Sequence, residues 1–284
     1  MTRSGVRKWI VMLTVSVVCI YCGGCNKQSE KPAGNYLNLA LAGMAGSDGV
    51  TFEGATVLLR GSEGTPYASI YYGGDVKDHN KVTLYTLLPD RESSEPEPSG
   101  QIKEASSATA EQPLYSELEK KEGRWQVLSG SSLQEENPLP RLNPLHQLEE
   151  LEGLDKKVTQ ETGAGRGVRL LRIELTPDGA RKQLRNQLEQ ELSALRTQSQ
   201  TKENQVSTQP QLKKALDGFW KKQNADLKRK LEQAQVKTIY HIKVDSRRNL
   251  PKRLAITRTI SYPGDDQNAR AETNVTQVDF YGYR

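Results

Sequence analysis

Beyond position 25 this chain of 284 residues has no cysteine; its three stand at Cys19, Cys22 and Cys25. That distribution excludes a disulfide framework or a thiolate metal site in the body of the chain. Histidine is as scarce. His79, His146 and His241 lie far apart in sequence and lack the spacing of a metal site, so each reads as a surface or structural residue. There is no G-x-S-x-G elbow, no H-E-x-x-H helix and no P-loop. The run Gly163-Ala164-Gly165-Arg166-Gly167 precedes a strand instead of opening a helix, which makes it a hairpin turn and not a phosphate cradle. Glu149, Glu150, Glu152 and Asp155 fall where a helix would expose them to water. The sequence therefore advertises no catalytic residue, no metal and no cofactor.

Long apolar runs are also missing, with one exception at the N-terminus. Trp9–Tyr21 is a 13-residue apolar stretch preceded by Arg3, Arg7 and Lys8 and followed by Gly23-Gly24. A membrane-spanning helix needs about 20 predominantly apolar residues, so the stretch reads as a cleaved export signal. Two small residues directly before Cys25 resemble the lipobox of bacterial lipoproteins, although Cys22 stands where that pattern usually has Leu. The resemblance implies cleavage after residue 24 and a thioether-linked diacylglycerol on Cys25. The polar run that follows, residues 25–34, suits a flexible tether. The expected address is the extracytoplasmic face of a cell membrane, held by lipid, because two acyl chains anchor stably where one does not.

Charge of one sign is not in excess. The formal net charge falls from +5 to +2 once Arg3, Arg7 and Lys8 leave with the signal. The remaining Lys and Arg are interspersed with acids, which argues against a nucleic-acid footprint. Lys213–Lys230 contains Asp217 and Asp226 and reads as a solvated helix face.

The body of the chain, residues 35–284, is expected to form a single α+β domain. A short helix over Asn35–Met44 leads into strand-like runs at Thr51–Arg60, Tyr67–Tyr72 and Lys81–Leu88, separated by Gly, Asn, Asp and Pro. Residues 91–113 are rich in Ser, Glu, Pro and Ala, and predict a long mobile loop. Leu114–Leu118 and Arg124–Leu128 flank a turn, with Trp125 on the buried face. Leu145, Leu148, Leu151 and Leu154 form one apolar stripe. Lys157–Glu161 and Gly167–Leu175 read as a hairpin.

Two helices follow. Thr176-Pro177-Asp178 is a helix start, with a capping hydroxyl, a proline at the first turn and an early acid. Leu184, Leu188, Leu192 and Leu195 then share a face. A polar linker over Thr197–Gln211 is expected before a second helix, whose stripe is Leu212, Leu216, Phe219, Trp220, Leu227 and Leu231. Three strands close the chain, at Lys237–Asp245, Leu254–Tyr262 and Ala271–Tyr283, and their alternation fits a sheet with one wet face. The fold class is thus a curved, mostly antiparallel half-barrel sheet packed against helices inserted before the last three strands.

Aromatics are few, so the bulky ones matter. Trp125, Phe219 and Trp220 are expected in the core and are candidates to line a ligand cavity. The order of elements, with GRWQVL at Gly123–Leu128 and the closing YHIKVD, LPKRLAITRTISY and TQVDFYGY segments, resembles the lipoprotein-carrier (LolA/LppX-like) superfamily. It is also similar to uncharacterised lipoproteins of spore-forming Gram-positive bacteria. The resemblance implies a sheet wrapped around helices that can hold acyl chains, and brings no catalytic residue with it. Three functions stay open: a membrane-tethered module binding a lipid or other apolar ligand, a structural or sensory envelope protein with a filled core, and an envelope hydrolase. A large apolar pocket would favour the first and a packed sheet–helix seam the second.

Overall fold

The computed structural model describes residues 32–61, 64–87, 113–130, 137–206, 210–262 and 271–284. The export signal, Cys25, residues 25–31 of the tether and all of the 91–113 loop but Pro113 lie outside the described residues. The tether gives way to helix earlier than expected, because Ala33 and Gly34 already belong to helix α1 (Ala33–Ala45).

Among the described residues ten strands form one sheet. They are β1 (Gly49–Arg60), β2 (Thr65–Lys77), β3 (Lys81–Thr86), β4 (Tyr115–Lys121), β5 (Arg124–Gly130), β6 (Lys156–Glu161), β7 (Val168–Leu175), β8 (Gln235–Asp245), β9 (Pro251–Ser261) and β10 (Glu272–Tyr281). Their order is β5-β4-β3-β2-β1-β10-β9-β8-β7-β6, and every described pairing is antiparallel. Two meanders, one from each half of the chain, therefore join where the first strand pairs with the last. The sheet is open and curved, the α+β half-barrel anticipated above.

Its inner face carries one continuous hydrophobic core. The period-2 pattern puts Phe52, Tyr72, Leu84, Leu171, Ile173, Tyr240, Ile242 and Leu254 there, each no more than 1% exposed. Helices cover that face. Helix α1 contributes Leu37, Ala40, Leu41 and Met44. A 3-10 turn (Leu139–Leu142) and helix α2 (Pro144–Glu149) follow, α2 being capped by Asn143, whose side chain accepts from the Leu145 amide at 3.1 Å. The stripe Leu145, Leu148, Leu151 and Leu154 is buried in full, as its spacing requires.

Helix α3 (Pro177–Val206) starts as expected: the Thr176 hydroxyl accepts from the Gly179 amide at 3.1 Å, and Asp178 sits in the first turn. The polar linker expected over Thr197–Gln211 is a correction. Helix α3 runs on to Val206 and α4 (Pro210–Gln233) begins at Pro210. The segment has neither Gly nor Pro before Pro210, and its Gln, Lys and Glu are good helix formers even without an apolar stripe.

Candidate functional site

The inner face is largely apolar, with a polar cluster where α3 packs on β8. On β9 the inward positions read Leu254, Ile256, Arg258 and Ile260, so a guanidinium stands in an otherwise aliphatic series. Arg258 donates from Nη1 to Gln187 Oε1 at 2.8 Å and from Nη2 to Gln183 Oε1 at 3.1 Å. Gln183 is buried and acts as the hub. Its Nε2 donates to the Tyr240 hydroxyl at 2.7 Å and to Glu150 Oε2 at 2.8 Å. Glu150 in turn faces His146 Nε2 at 3.4 Å. One turn further along α3 from Gln187, Glu191 pairs with Arg141 of the 3-10 turn at 3.2 Å.

This network joins α2, α3, β8 and β9 through side-chain hydrogen bonds and ion pairs. Burial pushes the Glu191 carboxyl up, against the opposing pull of Arg141, Arg258 and Gln187. Burial also pushes the Tyr240 hydroxyl up, opposed by Arg258 and Gln183. A hydroxyl held protonated and already bonded to an amide is a poor nucleophile, so the chemistry on offer is positioning. Arg258 Nε and Thr238 Oγ1, register partners on β9 and β8, are buried without a hydrogen-bond partner, as is the Tyr72 hydroxyl.

Sequence reasoning missed this cluster. A signal was present: Gln183 and Gln187 precede Leu184 and Leu188 at the same four-residue spacing, and Arg258 interrupts the inward alternation of β9.

The three aromatics singled out from sequence do not come together. Trp125 is half-buried and packs against the core, and its indole Nε1 donates to Glu149 Oε2 at 3.0 Å. Lys120 Nζ sits 2.9 Å from the other oxygen of Glu149, so β4 and β5 are both tied to α2. Trp220 is half-buried on α4 and meets Phe219 edge-on, with centroids 5.8 Å apart. Phe219 itself is 51% exposed, which corrects the expectation that it buries against the sheet. Cys25 lies outside the described residues.

Each histidine faces an acid: His79 at 2.9 Å from Asp48, His146 as above, and His241 at 3.7 Å from Glu161. Among the described residues no group of three or more His, Cys, Asp or Glu side chains could hold a metal ion. No helix among them is long and apolar enough to cross a membrane. A groove of about 350 Å³ runs beside α1, lined by Asn38, Leu41, Ala42, Ala45, Glu152 and Lys156.

No family model matches the chain, and no curated protein matches it either. Solved structures similar to it include the following three. A LolA superfamily protein from Nitrosomonas europaea shares 8% identity over 89% of this chain and 93% of its own, at a TM-score of 0.28. A DUF1329 family protein from Desulfovibrio piger shares 11% over 89% and 93%, at 0.24. A putative outer membrane lipoprotein-sorting protein domain from Vibrio parahaemolyticus shares 7% over 89% and 92%, at 0.24. The first of them carries the name of the superfamily that the sequence resembled. The narrower likeness to lipoproteins of spore-forming Gram-positive bacteria finds no support among them.

Proposed function

We propose that this chain is a lipid-anchored, extracytoplasmic interaction module, without catalytic chemistry, whose sheet is filled by its own helices. One observation carries the reading. Phe52, Tyr72, Leu84, Leu171, Ile173, Tyr240, Ile242 and Leu254 line the middle of the inner face with at most 1% of their surface exposed. A cavity able to take an acyl chain would leave accessible surface on the side chains around it, and these have none. The polar hub at Gln183 supports the same reading, because it fixes α3 across the sheet where a carrier would need a lid free to move. The anchor rests on the lipobox-like run before Cys25, and the address follows from the anchor.

A second reading, binding of a lipid or other apolar ligand, is favoured by one feature. Toward the far ends of the strands Ile70, Ile260 and Tyr262, with Leu188 and Leu227 of the helices, are only partly buried. An apolar ligand could lie along that rim.

Titrating the unlipidated Cys25→Ala chain with a fluorescent fatty-acid probe separates the two. The interaction-module reading expects no saturable binding. Stoichiometric binding lost on Ile260→Asp would replace it with the second.

A further inference from the structure

The outer face of the sheet holds an arrangement that the inner seam does not use. Tyr85, Gly73, Glu53, Asp279 and Arg253 form one register row across β3, β2, β1, β10 and β9. The neighbouring row brings together Asp75, Thr51 and Tyr281. Gly73 lets the Tyr85 ring lie down on the strand: a Cβ there would stand 3.0 Å from the ring. The ring thus leans from β3 toward Glu53. Tyr71 and Tyr281 stand exposed nearby. With strands about 4.8 Å apart, the four strands from β3 to β10 span roughly 14 Å.

Several acids on the sheet have a cation partner. Asp279 has Arg253, Glu272 has Arg60, Glu119 has Lys121 and Asp245 has Lys252. Glu53 and Asp75 have hydroxyls instead, as does Glu117 of β4, which accepts from Ser129 at 2.6 Å. Glu53 accepts from Tyr281 at 2.7 Å, and Asp75 accepts from Thr51 at 2.8 Å. Among the described residues neither has a cation within ion-pair distance. Their charge is felt by the neighbouring phenols, since burial and then Glu53 push the Tyr281 hydroxyl up to about 12.

We infer that this tyrosine-edged pair of carboxylates is a docking surface for an arginine-bearing segment of a protein partner. A guanidinium satisfies what is missing here: it pairs with a carboxylate through two parallel bonds and stacks on a tyrosine face. The chain itself makes such stacks, with Arg60 Cζ 3.8 Å above the Tyr67 ring and Arg169 Cζ 4.3 Å above Tyr36. A neutral glycan could stack on the tyrosines but would leave both charges unmatched. The chain as a whole is cationic, so attraction of a basic segment must come from this local field and not from net charge. The inference rests on reading the chain as an interaction module.

The test titrates the Cys25→Ala chain with hexa-arginine, using backbone amide shifts to locate the contact, with a neutral Gly-Ser hexapeptide and cellohexaose as comparators. Hexa-arginine is expected to bind saturably, shift the amides of Glu53, Asp75, Tyr85 and Tyr281, and weaken as salt is raised. Glu53→Gln combined with Asp75→Asn should weaken binding at least about tenfold with the melting temperature held. If the pair proves unstable, each single substitution should weaken binding separately. Unchanged affinity in the variants, shifts clustered elsewhere, or equal binding of cellohexaose at these amides would overturn the proposal. A lipid found in the inner face would defeat the interaction-module reading and leave the hexa-arginine result standing on its own.

Discussion

Gln183 of α3 donates a 2.7 Å hydrogen bond to the hydroxyl of Tyr240 on β8, while its carbonyl oxygen accepts from Arg258 on β9. One amide thereby serves a helix, two strands and, through Glu150, the end of α2. Gln183→Leu preserves bulk but leaves the carboxylate and the guanidinium each short of a partner. Hydrogen bonds to charged groups contribute about 1.5–3 kcal/mol, so a loss of about 2–4 kcal/mol in urea unfolding is expected. Gln187→Ala, which releases one donor of Arg258 at the margin of the network, should cost about 1 kcal/mol. Equal costs for the two would show that Gln183 is no hub.

Gly74 is fixed by close approach. A Cβ there would lie 2.3 Å from the Thr83 carbonyl oxygen and 2.5 Å from the Phe52 ring, both on neighbouring strands. Gly74→Ala should therefore cost about 3 kcal/mol or more, at the upper end of overpacking. Gly153→Ala meets nothing within 4 Å and should stay within about 0.5 kcal/mol. Thermal unfolding of the two variants measures the contrast.

Phe219 and Phe52 make a second contrast. Truncating a buried aromatic costs about 3–5 kcal/mol, and Phe52→Ala should fall in that range because the ring is fully buried. Phe219→Ala should cost less than about 1 kcal/mol, as the ring is half in water and touches Trp220 edge-on. A loss of several kcal/mol at Phe219 would place that ring in a packed interface.

The face of a strand is easier to read than the face of a long helix. On β8 alternation alone puts Tyr240, Ile242 and Val244 on one face, and all three are buried. The same holds for Val278 and Phe280 on β10. The Leu145–Leu154 stripe and the Thr176 cap were legible because spacing and capping are local rules. Phe219 was misread because an apolar stripe states which side of a helix is greasy, not how far the helix has travelled from the sheet. The Gln183–Tyr240–Arg258 hub was invisible for a different reason: its members lie 57 and 75 residues apart and are joined only when β8 and β9 pair under α3. The Thr197–Gln211 run was read from polarity alone, and polar residues can extend a helix; the tether was read as ending at Pro and Gly, whereas the helix starts directly after Pro32.

The turn between β8 and β9 carries a pH dependence of its own. Asp245 accepts from the amides of Arg247 at 2.9 Å and Arg248 at 3.1 Å, and pairs with Lys252 at 2.9 Å. The Lys252 bond and these two amides hold its carboxyl down to about 2, from an ordinary value of 3.8. A carboxyl depressed on folding contributes stability that is fully present above its unfolded value and is lost as pH falls through its folded one. Asp245→Asn should thus be less stable than the parent by a constant amount above about pH 4, and the difference should shrink between pH 4 and pH 2. Urea midpoints across that range decide it; a gap that widens on acidification would contradict the assignment.

The anchor can be tested apart from the fold. Cys25 is the one cysteine with two small residues directly before it, so Cys25→Ala should abolish metabolic incorporation of a fatty-acid probe and prevent anchoring through that residue. Undiminished label on the variant would remove the lipoprotein reading.

The central claim is that the helices, and not a ligand, fill the inner face of the sheet. It is tested most directly by extracting the purified Cys25→Ala chain with organic solvent and quantifying lipids in the extract by mass spectrometry. The account predicts no lipid approaching one molecule per chain. A single lipid class recovered at near one-to-one stoichiometry would contradict it, and would show that the seam held by Gln183 and Arg258 opens around a ligand.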